Sequence, residues 1–182
     1  MDQFELAQRA LVGGKHATAL RLLMPLANGG HPPAQTKLGE LYRRGQGVAR
    51  NYEDALIWFR KAASLGDGEA QATLGDMYYG GEGLARDDGK AAQWYHQAAD
   101  QSLPDAQYNL SVMYHNGQGV NQDNVQAHMW ANIAGTYGHK KAQAIRDILA
   151  KQMTLAQIAE AQKMAQTWLA NHGDHQESFS GE

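Results

Sequence analysis

The chain contains 182 residues, of which 43% are hydrophobic and 19% charged, with a net charge of −3, and this suits one compact domain or one short repeat array. Because basic residues are not in excess, the composition argues against nucleic acid or an anionic membrane surface as the partner. The chain has no cysteine, which excludes disulfide bonds, thiolate metal sites and cysteine nucleophiles. No apolar run approaches the roughly 20 residues that span a bilayer, so we expect no membrane insertion.

The N-terminal segment bears on the cellular compartment. Residues 1–10 carry Asp2 and Glu5 and lack the basic-then-apolar order of a signal peptide. We therefore expect a cytoplasmic protein, or a periplasmic or secreted one whose leader is missing from this sequence.

Residues 2–30 are predicted to form a degenerate first repeat unit with two helices. The first helix is short and ends at a double-glycine turn, and the second runs over about 15–28. Ala19 in this second helix lies 36 residues before Ala55, which has the same role in the next unit. Pro25 is expected to bend the helix or force a local adjustment.

The following part of the chain repeats with a period of 36 residues. The run that begins at Ala34 returns from Ala70 and again from Ala106. A fixed period of this length is the signature of a repeat architecture. The register predicts three full units, which are residues 31–66, 67–102 and 103–138.

Each full unit predicts two helices separated by a glycine-rich turn. The first helix has apolar or small residues at helical spacing and ends at a glycine, for which a left-handed backbone is cheap. These glycines are Gly45, Gly81 and Gly117. The second helix follows a residue whose side chain can cap the free amides. These capping residues are Asn51, Asp87 and Asp123. Ser102 stands where Gly66 and Gly138 close the other units, so we expect a slightly different turn there.

Residues 139–172 are predicted to form C-terminal capping helices. Gln143 continues the repeat register, but no glycine-rich turn follows. Instead, Thr154 and Gln157 form a capping-box pattern that opens an amphipathic helix, and the two helices are expected to pair as a hairpin over the end of the stack. Residues 173–182 are polar and aperiodic, and they are predicted to be disordered.

The periodicity predicts an all-α fold. One helix pair cannot bury its own apolar face, so each pair must stack on its neighbours. Trp58, Trp94 and Trp130 are expected to fill the layers between units. With a small constant rotation between pairs, we expect a right-handed superhelical solenoid of antiparallel helix pairs, with the first helix of each pair on the inner surface.

The run Ala-Gln-x-x-Leu-Gly-x-x-Tyr-x-x-Gly-x-Gly-Val, followed by Ala-x-x-Trp-Phe-x-x-Ala-Ala, resembles the Sel-1-like repeat, a relative of the tetratricopeptide repeat. The resemblance covers residues 31–145 strongly and 2–30 weakly. Ser111 replaces a glycine of the family pattern and Ala131 replaces its second aromatic residue, and we expect both changes to weaken the packing of the third unit. The resemblance implies a non-enzymatic scaffold or adaptor for protein–protein interaction, as in many bacterial members.

The relation to tetratricopeptide scaffolds also implies that a partner protein or peptide contacts exposed positions of the first helices, on the concave surface. Arg43 and Arg44 could hold a partner carboxylate, and Tyr79 and Tyr108 could supply aromatic contact area. Acidic residues in the set could favour a basic partner segment, and the alternative for the whole set is a solvated helix face. The implied residues are Thr36, Glu40, Arg43, Arg44, Glu69, Asp76, Tyr79, Asp105, Tyr108, Val112, His115 and Asn116.

Other chemistries have weaker support in the sequence. His172 and His175 are three residues apart, but they lie in a glycine-containing segment and match no metal-binding motif. The glycine-rich turns recur at helix ends without the lysine of a phosphate-binding loop. No nucleophile–base pattern or paired carboxylates stand out. We therefore expect no enzyme, no metal and no cofactor.

Two further interpretations stay open. The chain could be a regulatory or accessory subunit that assembles end-on with other envelope or signalling proteins. It could also be a small enzyme that uses histidines or carboxylates of the groove, such as His115 and Asp76. We expect a monomer, because the C-terminal amphipathic helix has the pattern of a cap.

Overall fold

The computed structural model describes residues 2–172. The regular secondary structure in that range consists of α-helices alone. The all-α prediction is confirmed. The predicted disorder of residues 173–182 lies outside the described residues. Among the ten helices of residues 2–172, none combines the length and the hydropathy that crossing a bilayer would require.

The chain divides into two compact units, residues 1–86 and residues 87–182, and the division falls between the two helices of the predicted repeat 67–102. In the N-terminal unit each helix packs on the next one along the chain. Its helices are α1 (Gln3–Val12), α2 (His16–Asn28), α3 (Pro32–Arg44), α4 (Tyr52–Ser64) and α5 (Gly68–Gly80).

The C-terminal unit begins in the same way, with α6 packed on α7, α7 on α8 and α8 on α9. The last helix departs from this order, because α10 packs along α8. The helices of this unit are α6 (Asp88–Ala99), α7 (Pro104–Asn116), α8 (Asn124–Thr136), α9 (Lys140–Ala150) and α10 (Leu155–His172).

Two charged residues of α9 disfavour the packing of another helix on it. At the repeat positions of Leu38 and Gly39, α9 carries Arg146 and Asp147, and their side chains form an ion pair at 2.9 Å. In the regular unit, Gly39 lies directly against the ring of Phe59. A charged pair offers no such apolar surface on which a second helix could pack. The expected terminal hairpin is therefore replaced by a helix that lies on α8.

The predicted helix ends are confirmed. The glycines that end α3, α5 and α7 are left-handed, with φ values of 67°, 69° and 65° for Gly45, Gly81 and Gly117. The side chains that precede α4, α6 and α8 accept backbone amides of the first turn, as expected for Asn51, Asp87 and Asp123. The capping box before α10 is also present, because Thr154 and Gln157 each accept a backbone amide of the other.

The second glycine of each turn lies against the start of the second helix in the preceding pair. A methyl group on Gly47 would approach the backbone of His16 and Ala17 to 2.6 Å. A methyl group on Gly83 would overlap Tyr52 in the same way, and one on Gly119 would overlap the backbone of Asp88. These glycines are needed because neighbouring pairs come into contact there.

A glutamine side chain joins each first helix to the preceding second helix. Its amide nitrogen donates to a carbonyl eight residues earlier, in the last turn of that helix, where carbonyls lack intrahelical partners. The donor–acceptor pairs are Gln35–Ala27 at 2.9 Å, Gln71–Ala63 at 3.3 Å, Gln107–Ala99 at 3.1 Å and Gln143–Gly135 at 2.9 Å.

The turn at Ser102 differs slightly from the two glycine turns, as expected. Ser102 keeps a left-handed backbone with φ of 61°, close to the 87° of Gly66 and the 84° of Gly138. Its amide bonds the carbonyl of Ala99 at 3.0 Å, as the two glycines do at their own positions. The turn is thus preserved, and a residue with a side chain accepts the strained conformation.

The exchanges at Ser111 and Ala131 compensate each other. In the first full unit, Gly39 leaves the space that the Phe59 ring occupies. In the third unit a small Ala131 takes the place of the ring, so Ser111 fits at the glycine position. Both residues are fully buried, and the Ser111 hydroxyl donates to the carbonyl of Ala127 at 2.7 Å. The two exchanges therefore match in size, and the expected weakening of the third unit stays a prediction about its stability.

The three tryptophans are not equivalent. Trp58 and Trp130 are buried, as expected for residues that fill the layers between helix pairs. Trp130 also meets Trp168 of α10 edge to face, with ring centroids 5.8 Å apart. Trp94 is only partly buried, so the expectation of an equal role in the core does not hold for it.

Two histidines are enclosed within the C-terminal unit. Burial lowers the pKa of His96, and the nearby carboxylate of Asp100 opposes this only in part. His128 is 2% exposed, and its Nδ1 has no hydrogen-bond partner among residues 2–172. Burial and the charge of Arg146 lower the pKa of His128, while Asp147 opposes them. The folded state therefore favours the neutral form of both imidazoles.

We predict that Gly83→Ala destabilises the N-terminal unit more than Gly66→Ala. Both glycines are left-handed, so each alanine should cost about 1–2 kcal/mol from backbone strain. Only Gly83 also contacts Tyr52, whereas Gly66 faces open space, and the overlap should add roughly 1–3 kcal/mol. Urea unfolding of the two variants measures the difference in stability. Equal midpoints would contradict a destabilising overlap with Tyr52.

We predict that Gln107→Glu destabilises the protein by roughly 3 kcal/mol near neutral pH, because a buried carboxylate would face the Ala99 carbonyl. The loss should shrink in mild acid, where the protonated carboxyl regains an O–H donor. The exposed Gln97 of α6 supplies the control variant Gln97→Glu. The midpoints of urea unfolding test this prediction. A similar loss of stability in both variants would show that the hydrogen bond of Gln107 is not the cause.

We predict that the C-terminal unit loses stability as the pH falls below about 6.5, the ordinary pKa of histidine. His96 and His128 have lowered pKa values in the folded state, so the unfolded chain binds more protons than the folded one in that pH range. The free energy of unfolding therefore decreases as the pH falls from the ordinary histidine pKa toward the folded-state pKa values. His128→Leu, which installs the residue found at the equivalent Leu56, should reduce the loss. Urea midpoints on both sides of the range measure it, and an unchanged loss in the variant would exclude His128 as a source.

Candidate partner-binding surface

The sequence places the candidate residues on the first helix of each pair, and we call the exposed sides of these helices the first-helix surface. In the N-terminal unit this surface belongs to α1, α3 and α5, and in the C-terminal unit to α7 and α9. The candidates lie on α3 (Thr36, Glu40, Arg43, Arg44), on α5 (Glu69, Asp76, Tyr79) and on α7 (Asp105, Tyr108, Val112, His115, Asn116).

Thr36 is not available to a partner. Its side chain is fully buried, and its hydroxyl donates to Oδ1 of Asp67 at 3.0 Å. The same carboxylate oxygen accepts the amide of Ala70 at 2.8 Å and so caps α5. Thr36 therefore holds α3 against the start of α5, and the expectation that it contacts a partner is corrected.

Lys37 organises the charges between α3 and α5. Its ammonium group lies 2.8 Å from Glu69 and 3.9 Å from Glu40. Burial by itself lowers the pKa of Lys37, but the hydrogen bond to Glu69 and the charges of Glu40 and Asp67 together raise that pKa above its ordinary value. Glu40 and Glu69 thus face a fixed positive charge, which offsets part of the negative charge they present to a partner.

The two candidate arginines of α3 have different environments. Arg43 is partly buried, and its guanidinium bonds a carboxylate oxygen of Glu82 at 3.2 Å. Arg44 is exposed, and within residues 2–172 it has no ion pair. Arg44 is therefore the cation that a partner carboxylate can reach without competition.

On α5 the two remaining candidates are accessible to different degrees. Asp76 is exposed and Tyr79 is partly exposed. The guanidinium of Arg86 lies 5.2 Å from the centre of the Tyr79 ring, a cation–π arrangement. A partner that used Tyr79 as an aromatic anchor would meet this arginine as well.

A groove of about 570 Å³ lies between α1 and α3 in the N-terminal unit. It brings together two candidates, Glu40 and Arg44, with apolar residues of α1 that sequence analysis did not select. Val12 is 92% exposed, and Nδ1 of His16 is buried without a hydrogen-bond partner among the described residues. Residues that line the groove include Leu11, Val12, His16, Glu40, Leu41 and Arg44.

In the C-terminal unit, two candidates help to join α7 to α9 through His139. Nε2 of His139 lies 3.1 Å from Asp105, and the ring of Tyr108 stacks on the imidazole at 4.6 Å. Nδ1 of the same histidine accepts the amide of Ala142 at 3.0 Å and caps α9. Asp105 and Tyr108 therefore have a structural role, although the carboxylate side chain of Asp105 is 93% exposed.

The remaining candidates on α7 have mixed environments. Val112 is partly exposed, and Ile148 holds the same repeat position on α9 with 52% exposure. His115 lies 3.1 Å from the Asn124 side chain, and the exposed Asn116 bonds Gln118 at 3.2 Å. The two aliphatic side chains make this surface more apolar than that of α3.

Sequence analysis missed Leu11, Val12 and His16 because it counted back by 36 residues. The glycine after α1 is Gly13, which precedes Gly45 by only 32 residues, so the constant step did not align α1. It also missed Lys37, although the pairing of this residue with Glu40 three residues later follows an ordinary helix-surface rule.

The described residues show no metal centre. Within residues 2–172, no group of three or more histidine or carboxylate side chains is arranged to hold a metal ion.

The family model described as the Sel1 repeat matches residues 32–67, 68–103 and 104–139. Together these matches cover more than half of the chain. A comparison with curated proteins found no match.

Several solved structures have the same fold. A Sel1 repeat protein from Oxalobacter formigenes is 30% identical, with a TM-score of 0.77 over 80% of this chain and 60% of its own. The protein c5321, a protective antigen present in uropathogenic Escherichia coli strains and displaying an SLR fold, is 27% identical, with a TM-score of 0.66 over 99% of this chain and 48% of its own. Helicobacter pylori cysteine rich protein B is 25% identical, with a TM-score of 0.56 over 71% of this chain and 96% of its own.

The chain thus spans less than two thirds of the length of the first two relatives. All three are bacterial solenoid proteins, which agrees with the helix pairs described in each unit. Sel1 repeat proteins generally act as protein-interaction scaffolds, and the fold is typically non-catalytic. From the three matched repeats and these structural neighbours, the chain belongs to the Sel1 repeat family.

Proposed function

We propose that the chain is a non-enzymatic scaffold that binds a partner protein or peptide on its first-helix surface. The observation that carries this proposal is the groove between α1 and α3, which is lined both by the exposed Arg44, unpaired among the described residues, and by the apolar Val12. A site that joins a free charge to accessible apolar area is suited to a protein segment, because a few such residues supply most of the energy of an interface.

The charges around α3 support the same proposal. Lys37 already binds Glu69 and approaches Glu40, so these groups are held in place before a partner arrives. Fixed groups lose less conformational entropy on binding than flexible ones. In the C-terminal unit, Val112 and Ile148 offer aliphatic area on the equivalent helices.

A second candidate function is assembly with another repeat protein through the end of the C-terminal unit. The last helix, α10, packs along α8, and its first residue carries an apolar side chain on the surface. This residue, Leu155, is 86% exposed. Such residues can pack against another helical unit, and this mode of assembly would not use the groove between α1 and α3.

We predict that charge reversal on the first-helix surface abolishes partner capture. The variant Glu40→Lys/Arg44→Glu is compared with Glu53→Lys/Arg60→Glu, which makes the same two changes at exposed positions of α4. Tagged proteins are used to capture partners from a lysate and an envelope fraction of the source cells, with identification by mass spectrometry. The first variant should lose a partner that the wild type and the α4 variant retain.

Circular dichroism must show that both variants are folded. A partner lost only by the α4 variant would contradict the proposal, and so would the absence of any partner of the wild type. A partner that both variants retain, but that Leu155→Asp loses, would replace it with assembly through the C-terminal end.

A further inference from the structure

The groove between α1 and α3 has one cation, Arg44, without an ion pair among the described residues. Its lining includes two cations, Lys37 and Arg44, and one carboxylate, Glu40. Lys37 is already engaged, since it binds Glu69 and lies 3.9 Å from Glu40. Arg44 is exposed and has no ion pair in residues 2–172, so it is the charge that remains for a ligand.

Part of the groove lining is apolar. Leu11 and Val12 of α1 and Leu41 of α3 line it, and Val12 is among the most exposed large apolar residues in the described chain. Covering a side chain of this kind with an apolar group of a ligand is favourable in proportion to the area removed from water. The groove therefore offers one charged contact and one apolar contact.

His16 adds an unsatisfied polar atom to the same groove. Its Nδ1 is buried and has no hydrogen-bond partner among the described residues, and its side chain lines the groove. A buried polar atom without a partner costs free energy. A rotation of the imidazole that exposed this nitrogen would let a backbone amide of a bound peptide donate to it, whereas a fully apolar ligand could not satisfy it.

We propose that this groove binds an extended peptide segment that carries one carboxylate side chain and a neighbouring aliphatic one. This inference rests on the proposed function and specifies its ligand class. The guanidinium of Arg44 matches a carboxylate in charge and in its paired donors. A phosphate group fits less well, because its charge of about −2 would exceed the charge of the one unpaired cation, Arg44, and would lie in the groove that Glu40 also lines.

The test uses fluorescein-labelled hexapeptide pools with two fixed central residues and Gly, Ser or Asn elsewhere. One pool has Glu-Leu at the centre, and the reference pools have Gln-Leu, Lys-Leu and Glu-Ser. Fluorescence polarisation measures their affinity for the wild type and for two groove variants, Arg44→Gln and Val12→Ser. The matched controls are Arg21→Gln and Ile57→Ser, which change exposed residues outside the groove.

The Glu-Leu pool should bind best, and either groove variant should weaken it roughly tenfold or more, as expected for loss of a charge-assisted bond or a buried aliphatic contact. The control variants should bind like the wild type. Equal affinity for the Glu-Leu and Gln-Leu pools, preference for Lys-Leu, or absence of binding would overturn the proposal. The partner capture described above separates the two failures: a partner that needs Glu40 and Arg44, with no pool binding, overturns only the ligand class.

Discussion

The hydrogen bond from a glutamine amide to a carbonyl eight residues earlier joins the first helix of a pair to the second helix of the pair before it. A helix leaves its last carbonyls without intrahelical partners, and in this chain the following helix supplies a donor to one of them. The bond is present at Gln35, Gln71, Gln107 and Gln143, with lengths from 2.9 to 3.3 Å. Because it spans each junction between successive pairs, it fixes where the next first helix begins. The exposed side of that helix, which forms the candidate surface, is positioned by the same bond.

The second glycine of each turn provides the complementary contact between successive pairs. The glutamine joins the end of a second helix to the next helix, and the glycine lies against the start of a second helix. Around each of the three glycine-rich turns, the chain is thus held to the preceding helix pair at two points, one polar and one steric. The groove between α1 and α3 lies near the steric contact at Gly47, because His16 lines the groove and its backbone lies against this glycine.

The repeat period, the helix ends and the family could be predicted from sequence, because they depend on local residue types that recur every 36 positions. Gly45 and Asn51 are examples, since a left-handed turn and a side-chain cap require little more than their own chain neighbourhood. The packing of α10 could not be predicted in this way. It depends on the surface that α9 offers to another helix. The ion pair of Arg146 and Asp147 on that surface gives no sign of this consequence when the sequence of α9 is considered alone.

The candidate surface was predictable in outline but not residue by residue. Helical spacing places Glu40 and Arg44 on the exposed side of α3, whereas the burial of Thr36 depends on the position of Asp67 in the next helix. The distinction between Arg43 and Arg44 depends in the same way on Glu82, which follows α5. Periodicity identifies a helix face, and only the three-dimensional arrangement shows which of its charges are already paired.

The exchange at Ser111 and Ala131 constrains the order in which such a unit can change during evolution. A serine introduced opposite an aromatic ring would collide with it, as the contact between Gly39 and Phe59 shows. Loss of the ring first would leave a cavity, which usually costs stability but still allows the fold, and the serine could then occupy part of that space. The third repeat therefore has a preferred mutational path, in which the aromatic residue is lost before the glycine.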